Sequence, residues 1–322
     1  MTSRTIAVFG ATGAQGGGLA RAILADRQGG FALRAVTRKP RGAAAQALRE
    51  AGAQIVEADL DDPASVRAAM EGSWGAFCIT NFWEHFSPER ELTQARNMAQ
   101  AVKAVGVKHV IWSTLEDTRR FVPVGSGRMP VLMGQYNVPH MDAKGEADAF
   151  FRDCGVPTTF LLTSFYWENL INFGMAPTPG ADGRLKFVLP MGQRKLPGIS
   201  AEDIGRCALS LFKRGPAAAG RTVGMAGEHL SGAQMAAALS RALDRPVDHL
   251  ALSFDEYRHL GFPGAADLAS MFQFKHDFEE PFRAARSVEG SRALCPQLQD
   301  FAGWLERNRE RLHPVQDAST AA

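Results

Sequence analysis

The chain is 322 residues long and nearly neutral, with 36 Lys+Arg against 34 Asp+Glu, and 45% of it is hydrophobic. That length supports one large domain or two modest ones, and the balanced charge, without a lysine-rich run or basic arm, gives no nucleic-acid footprint. No apolar stretch is long enough to span a bilayer, and a strand begins so early that it leaves no room for a signal peptide, so a soluble, cytoplasmic protein is expected. Cys78, Cys154, Cys207 and Cys295 form no CxxC pair, so neither a metal site nor a disulfide framework is expected.

Ile6 to Phe9 is a short apolar run of β-formers, as a buried parallel strand requires. Gly10, Gly13 and Gly16 come next, with Ala11, Thr12, Ala14 and Gln15 between them. Leu19, Ala20, Ile23 and Leu24 then recur at helical spacing. Small residues at these points let the chain turn sharply and let a pyrophosphate approach the backbone, facing the amides that open the helix. The spacing is GxxGxxG rather than GxGxxG, but its place between a strand and a helix favours a dinucleotide cradle over a bare turn.

Residues 33–38 read as a second strand and 43–53 as the helix after it. A third strand spans 54–60, and a helix with Pro63 at its start spans 63–72. A fourth strand covers 74–80, followed by a long helix over 87–106, capped by Ser87 and closed by Gly106. The fifth strand is 108–114. Such βα units predict an α/β fold of Rossmann type, a doubly wound parallel sheet with its ligand crevice at the carboxyl ends of the strands.

Residues 115–139 break this rhythm with Gly and Pro, a loop excursion long enough to line a site. A helix over 140–154 and a strand over 158–164 resume it, and a turn over 176–184 precedes a short strand. Beyond residue 225 the sequence reads as mainly helical. The expected division is a Rossmann domain over 1–164, completed by parts of 199–225, and a smaller, mainly helical lobe over 165–312 that closes over the crevice. The tail 313–322 has too few apolar groups to order itself.

Arg38 directly follows the second strand, where a dinucleotide site meets the adenosine ribose. An acidic residue there would accept from a free 2′-hydroxyl, whereas Arg38 and Lys39 offer two cations to a 2′-phosphate. That favours NADP(H) over NAD(H), against the alternative of two solvated loop cations. Asp59, ending the third strand, either accepts from an adenine amine or caps the segment after it. Thr80 and Asn81, then Phe82 and Trp83, flank the cofactor or form an aromatic plug at the end of the fourth strand. Ser113 ends the fifth strand, and His140 and Lys144 share one face of the next helix.

The glycine cluster, Ser113 and the helical lysine resemble the short-chain dehydrogenase/reductase scaffold, with His140 in place of the tyrosine of its YxxxK motif. More closely, "FGATGAQGG", "VTRKP", "TNFWE", "PHMDAKGEADAFFRDCGVP", "YWENL" and "LGFPGAADLASMFQF", in order from residue 6 to about 274, resemble the atypical NmrA-like branch. Within it the likeness is to the NADPH-sensing type of NmrA-like family domain-containing protein. The resemblance implies NADP(H) as cofactor, with Gly10 to Gly16 on the pyrophosphate and Arg38 on the 2′-phosphate. It also implies Thr80, Asn81 and Phe82 along the dinucleotide, Lys144 on the nicotinamide ribose, and Tyr166 and Asn169 beside the nicotinamide. Thr93 departs from the pattern, standing where a basic cofactor contact is expected. The loop from Val122 to Pro139 is also longer, and its added "GRMPVLMGQYN" is read as a substrate wall.

Two functions suit these residues. One is an NADPH-dependent reductase of a small carbonyl, imine or enone substrate bound in the crevice. In it Lys144 serves as the acid, Ser113 polarises the acceptor, Tyr166 or Tyr136 replaces the missing tyrosine, and His140 relays a proton. The other is a non-catalytic NADPH/NADP redox sensor that regulates a protein partner, as loss of the tyrosine acid predicts. Phe82, Trp83, Phe165, Tyr166 and Trp167 suit a substrate pocket or a plug. One sequence leaves the oligomeric state, including a homo-oligomer, open.

Overall fold

Strands whose residues are apolar on both faces need helices on both faces, and the first half of the chain alternates the two. The computed structural model describes residues 3–312, so the tail at 313–322 lies outside the described residues. In chain order the elements are β1 (Arg4–Phe9), α1 (Ala14–Ala25), β2 (Phe31–Thr37), α2 (Ala43–Glu50), β3 (Gln54–Glu57), α3 (Pro63–Met70) and β4 (Gly75–Cys78). Then come α4 (Pro88–Val105), β5 (His109–Thr114), α5 (Pro139–Asp153) and β6 (Thr158–Leu162). Ser87 accepts from the Arg90 amide at the start of α4, and Gly106 closes that helix at φ +71°.

After β6 the elements shorten: β7 (Phe165–Tyr166), α6 (Asn169–Asn172), β8 (Thr178–Pro179), β9 (Leu185–Val188) and β10 (Lys195–Ile199). They are followed by α7 (Ala201–Arg214), β11 (Thr222–Gly224), β12 (Glu228–Ser231), α8 (Gly232–Leu243), β13 (Val247–Leu250) and α9 (Phe254–Arg258). The chain ends in α10 (Ala265–Asp277), α11 (Glu279–Ala284), α12 (Val288–Leu294) and α13 (Phe301–Asn308).

The main sheet has seven parallel strands in the order β11-β6-β5-β4-β1-β2-β3. Strand order reverses between β1 and β4, and in such sheets the ligand crevice opens at that point. Alternate strand residues face opposite layers. Ile6, Val8, Phe77 and Ile111 pack with Leu19, Ile204 and Phe212, whereas Ala7, Phe9, Cys78 and Trp112 pack with Met70, Met98 and Phe151. On the first face α1 and α7 cross with Gly18 and Gly205 in direct apposition: a Cβ on Gly205 would land on the Gly18 and Leu19 backbone. Leu294, Cys295 and Leu298 join this same core, so the end of the chain returns to the large sheet.

The smaller lobe contains two three-stranded sheets, β12-β10-β7 and β13-β9-β8, beside its helices. Past residue 225 the chain is mainly helical, as expected, with β12 and β13 as two short strands that the sequence did not mark. Among the described residues no helix is long and apolar enough to cross a membrane.

The excursion between β5 and α5 is structural. The buried Asp142 carboxylate accepts from the Thr118 amide and hydroxyl and from the Asn137 and Val138 amides, tying both ends of the loop to α5. Val122, Met129 and Val138 are buried in the smaller lobe's core, and Gln273 of α10 donates to the Arg128 carbonyl. Residues 122–139 do not line the crevice, which corrects the substrate-wall expectation. Tyr136 is likewise removed as an acid. It is 1% exposed, with the Arg119 guanidinium over its ring.

Candidate functional site

At the carboxyl ends of β1, β2, β4 and β5 lies a crevice of about 1200 Å³, larger than the roughly 300–1,000 Å³ of an ordinary small-molecule site. Its floor is the first βα turn. Gly10 sits at φ +64°, a conformation that glycine adopts without steric cost. A Cβ on Gly16 would strike the Phe9 and Gly10 carbonyls, so α1 rises directly from the turn. Gly13 caps α1 without a side-chain acceptor, which leaves the first amides of the helix for an anion. Gly10, Thr12, Gly13, Ala14, Gln15 and Gly16 line the crevice. Ala11 does not: it is 1% exposed and packs in the core behind the turn.

Arg38, Lys39 and Asp59 border the crevice from β2 and β3. Arg38 pairs with Glu84 at 2.6 Å, both side chains about half exposed. Such a pair is worth at most about 1 kcal/mol, so it would be a weak competitor to a phosphate dianion. Lys39 has no ion pair among the described residues. If the site holds a 2′-phosphate, Arg38→Ala should weaken NADPH binding by about 10- to 100-fold, the worth of a charged hydrogen bond. NADH binding should change little, and fluorescence titration of both cofactors checks this. Asp59 also accepts from the Asp61 amide at 3.0 Å, so it does cap the turn after β3. Thr93 is exposed on α4 and donates to the Glu89 carbonyl, while its neighbour Gln94 lines the crevice.

Further in, polar side chains form closed sets. Ser113 donates to Gln15 Oε1 at 2.8 Å, the Gln15 amide donates to the Tyr166 oxygen, and the Tyr166 and Thr163 hydroxyls stand 3.2 Å apart. Burial pushes the Tyr166 phenol up. Ser113 and Tyr166 are therefore committed to holding the cradle against β5 and β7. Lys144 is engaged as well, donating to Thr80 Oγ1 at 2.6 Å and the Thr80 carbonyl at 3.1 Å and forming an ion pair with Glu91 Oε1 at 2.7 Å. An ammonium has three N–H donors, and two of them go to Thr80 while the charge faces Glu91.

Glu91 is fully buried. Burial would raise its carboxyl, but Lys144, His85 and Thr80 outweigh that and hold it at about 2. Its ordinary value is 4.5. The stability it contributes is thus present above that value and lost as pH falls from there toward about 2. Acid unfolding followed by circular dichroism should show this component, and Lys144→Met should remove it.

His140 is 4% exposed and lines the crevice, with its ring 4.8 Å from that of Trp83. Its backbone amide donates to Asp267 Oδ2 at 3.1 Å, and its Nδ1 pairs with Asp267 Oδ1. The Nε2 atom has no protein partner among the described residues. Asp267 is not marked in the sequence, because an acid in the first turn of a helix looks like an ordinary terminal charge. Glu91 escapes notice for the same reason. Asn81, Phe82, Trp83, Phe165 and Asn169 also line the crevice. Trp167 does not, being buried against Phe301 and Trp304 in the smaller lobe.

The NmrA-like family model matches residues 2–305. The NmrA-like family domain-containing oxidoreductase himF of Aspergillus japonicus is 31% identical over 221 residues, which cover 64% of this chain and 63% of that protein. The match thus spans less than two thirds of that relative. The structure of NmrA, a negative transcriptional regulator, in complex with NADP superposes with a TM-score of 0.77 at 24% identity, covering 95% of both chains. Triphenylmethane reductase of a Citrobacter species, complexed with NADP(H), gives 0.74 at 18% identity over 94% of this chain and 99% of that one. At these identities the structural likenesses establish the fold.

Proposed function

The chain belongs to the NmrA-like family, and from that premise we propose that it is an NADPH-dependent reductase of a small carbonyl, imine or enone. The glycine cradle, the amides opening α1 and the Arg38–Lys39 pair fit a dinucleotide carrying a 2′-phosphate. The bound cofactor supplies a hydride from its nicotinamide C4. The relatives whose names carry oxidoreductase or reductase support this chemistry by analogy.

The observation that carries the reading is the His140–Asp267 pair. Reduction of a polar double bond leaves negative charge on oxygen, nitrogen or carbon, and a positioned acid lowers the barrier. Asp267 accepts from Nδ1–H, so the proton available to a substrate is on Nε2 of the imidazolium. After transfer the neutral ring keeps its Nδ1 proton, and the carboxylate fixes that tautomer. Lys144, bonded to Thr80 and paired with the buried Glu91, holds β4 and α4 together. A redox sensor needs no acid in the crevice, whereas reduction of a neutral carbonyl, imine or enone is helped by one.

Turnover of NADPH by the purified protein against quinones, aldehydes, imines and enones tests the reading, with His140→Gln beside the wild type. The expected result is saturable oxidation of at least one acceptor class that collapses in the variant while NADPH binding persists. Tight NADPH binding with no oxidation by any acceptor would return the weight to the sensor. Lys144 is a poor probe for this purpose, because removing it strands the buried Glu91 and destabilises the fold.

A further inference from the structure

Lys275 of α10 lines the same crevice and is 7% exposed, yet its ammonium has no hydrogen-bond or ion-pair partner among the described residues. Its near neighbours are aromatic, the rings of Phe282 at 5.4 Å and Phe272 at 6.0 Å. The adjacent charges cancel. The fully buried Arg286 forks onto Glu116 at 2.5 and 2.9 Å and covers the Phe282 ring at 3.7 Å. Lys275 is thus the local excess cation. Burial and then Arg286 lower it to about 7, with Glu116 acting in the opposite sense.

A buried amine without an acceptor costs stability, and methionine would fill the same space without that cost. Lys186 also lines the crevice but is paired with Asp182 and Asp248, so Lys275 alone of these two has donors to offer. Around the mouth, Phe173, Leu260 and Phe262 line the crevice and stay exposed. They present an apolar surface to whatever enters.

We propose that Lys275 Nζ receives an anionic oxygen of the substrate, a carboxylate, phenolate or enolate carried on an apolar body. This assignment rests on the crevice being the substrate site of the reductase, and it narrows the substrate class to amphipathic acids. The anion gives Lys275 the acceptor that the protein does not supply, and the apolar rim takes the rest of the molecule.

The test is binding, so it stands apart from turnover. With the protein saturated in NADP⁺, calorimetric titration with 2-naphthoate and with its neutral counterpart 2-acetylnaphthalene gives the ratio of the two affinities. In the wild type the carboxylate should bind at least about tenfold tighter, as a charged hydrogen bond provides. In Lys275→Met the ratio should fall to near one with 2-acetylnaphthalene binding kept, and Lys275→Arg should retain the preference. Lys275→Met should also match the wild type in NADPH affinity and keep a Tm at or above that of the wild type, which separates a lost contact from a damaged fold. A wild type without the preference, including one that fails to bind 2-naphthoate, overturns the proposal. So does a preference that survives in Lys275→Met. A failure to reduce any acceptor bears on the reductase reading and leaves this ratio to be judged by itself.

Discussion

Asp267→Asn is expected to lower kcat by about 100- to 10,000-fold, the range spanned by positioned acid catalysis, while NADPH affinity stays near that of the wild type. The reason is tautomeric. The asparagine oxygen can still accept the His140 backbone amide that Asp267 Oδ2 accepts at 3.1 Å, so the helix start is preserved. The amide NH₂ then faces Nδ1, which must become an acceptor. The imidazole proton moves to Nε2 in the neutral ring, and the imidazolium loses its carboxylate. His140→Gln should reach a similar rate, and combining the two should cost little more, because the residues act as a unit. Steady-state kinetics with the best acceptor, alongside cofactor titration, measure this. An Asp267→Asn enzyme with wild-type kcat would show that the pair is only a brace between α5 and α10.

The second large effect is on stability. Gly205→Val should lower the unfolding free energy by about 3–5 kcal/mol, at the severe end for overpacking, with Tm lower by roughly 5 °C. A Cβ at this position meets the Gly18 carbonyl carbon and the Leu19 nitrogen, both backbone atoms of α1, so no rotamer change relieves the contact. The helices must separate. Because α1 begins at the glycine cradle, NADPH affinity should fall with stability. Gly290→Ala is the control, since its Cβ would meet only Ser287 at ordinary contact distance, and the change should be neutral or slightly stabilising in a helix. Guanidinium unfolding of both variants settles the comparison.

The parts of this molecule legible in the sequence are those with a local signature. Ile6 to Phe9, the three glycines and the periodic residues behind them give strand, turn and helix without tertiary information. Pro63, Ser87 and Gly106 mark helix ends by the stereochemistry of single residues. The features that escape depend on partners far away in the chain. Asp267 meets His140 across 127 positions, and Gln15 meets Tyr166 across 151. Nothing in either neighbourhood predicts the other member.

Glu84 has no feature in sequence that marks it as the companion of Arg38. The excursion after β5 misleads for a related reason. Its length resembles that of a functional loop, but Val122, Met129 and Val138 are claimed by the smaller lobe's core, and Asp142 fixes it from within α5. Ser113, Tyr166 and Lys144 do stand at the crevice, yet each is bonded to or paired with Gln15, Thr80 or Glu91. Identity and place are readable from the motif. Availability is not, because it depends on which neighbours the fold delivers.

Label transfer tests the account most directly. The protein is loaded with NADPH deuterated at the nicotinamide C4, mixed with the panel of quinones, aldehydes, imines and enones, and quenched for mass spectrometry of cofactor and products. Deuterium appearing in the product of at least one acceptor, with oxidised cofactor in equal amount, is the predicted result. Cofactor recovered reduced and fully labelled with every acceptor, despite tight binding, would contradict the claim that this crevice exists to use the hydride.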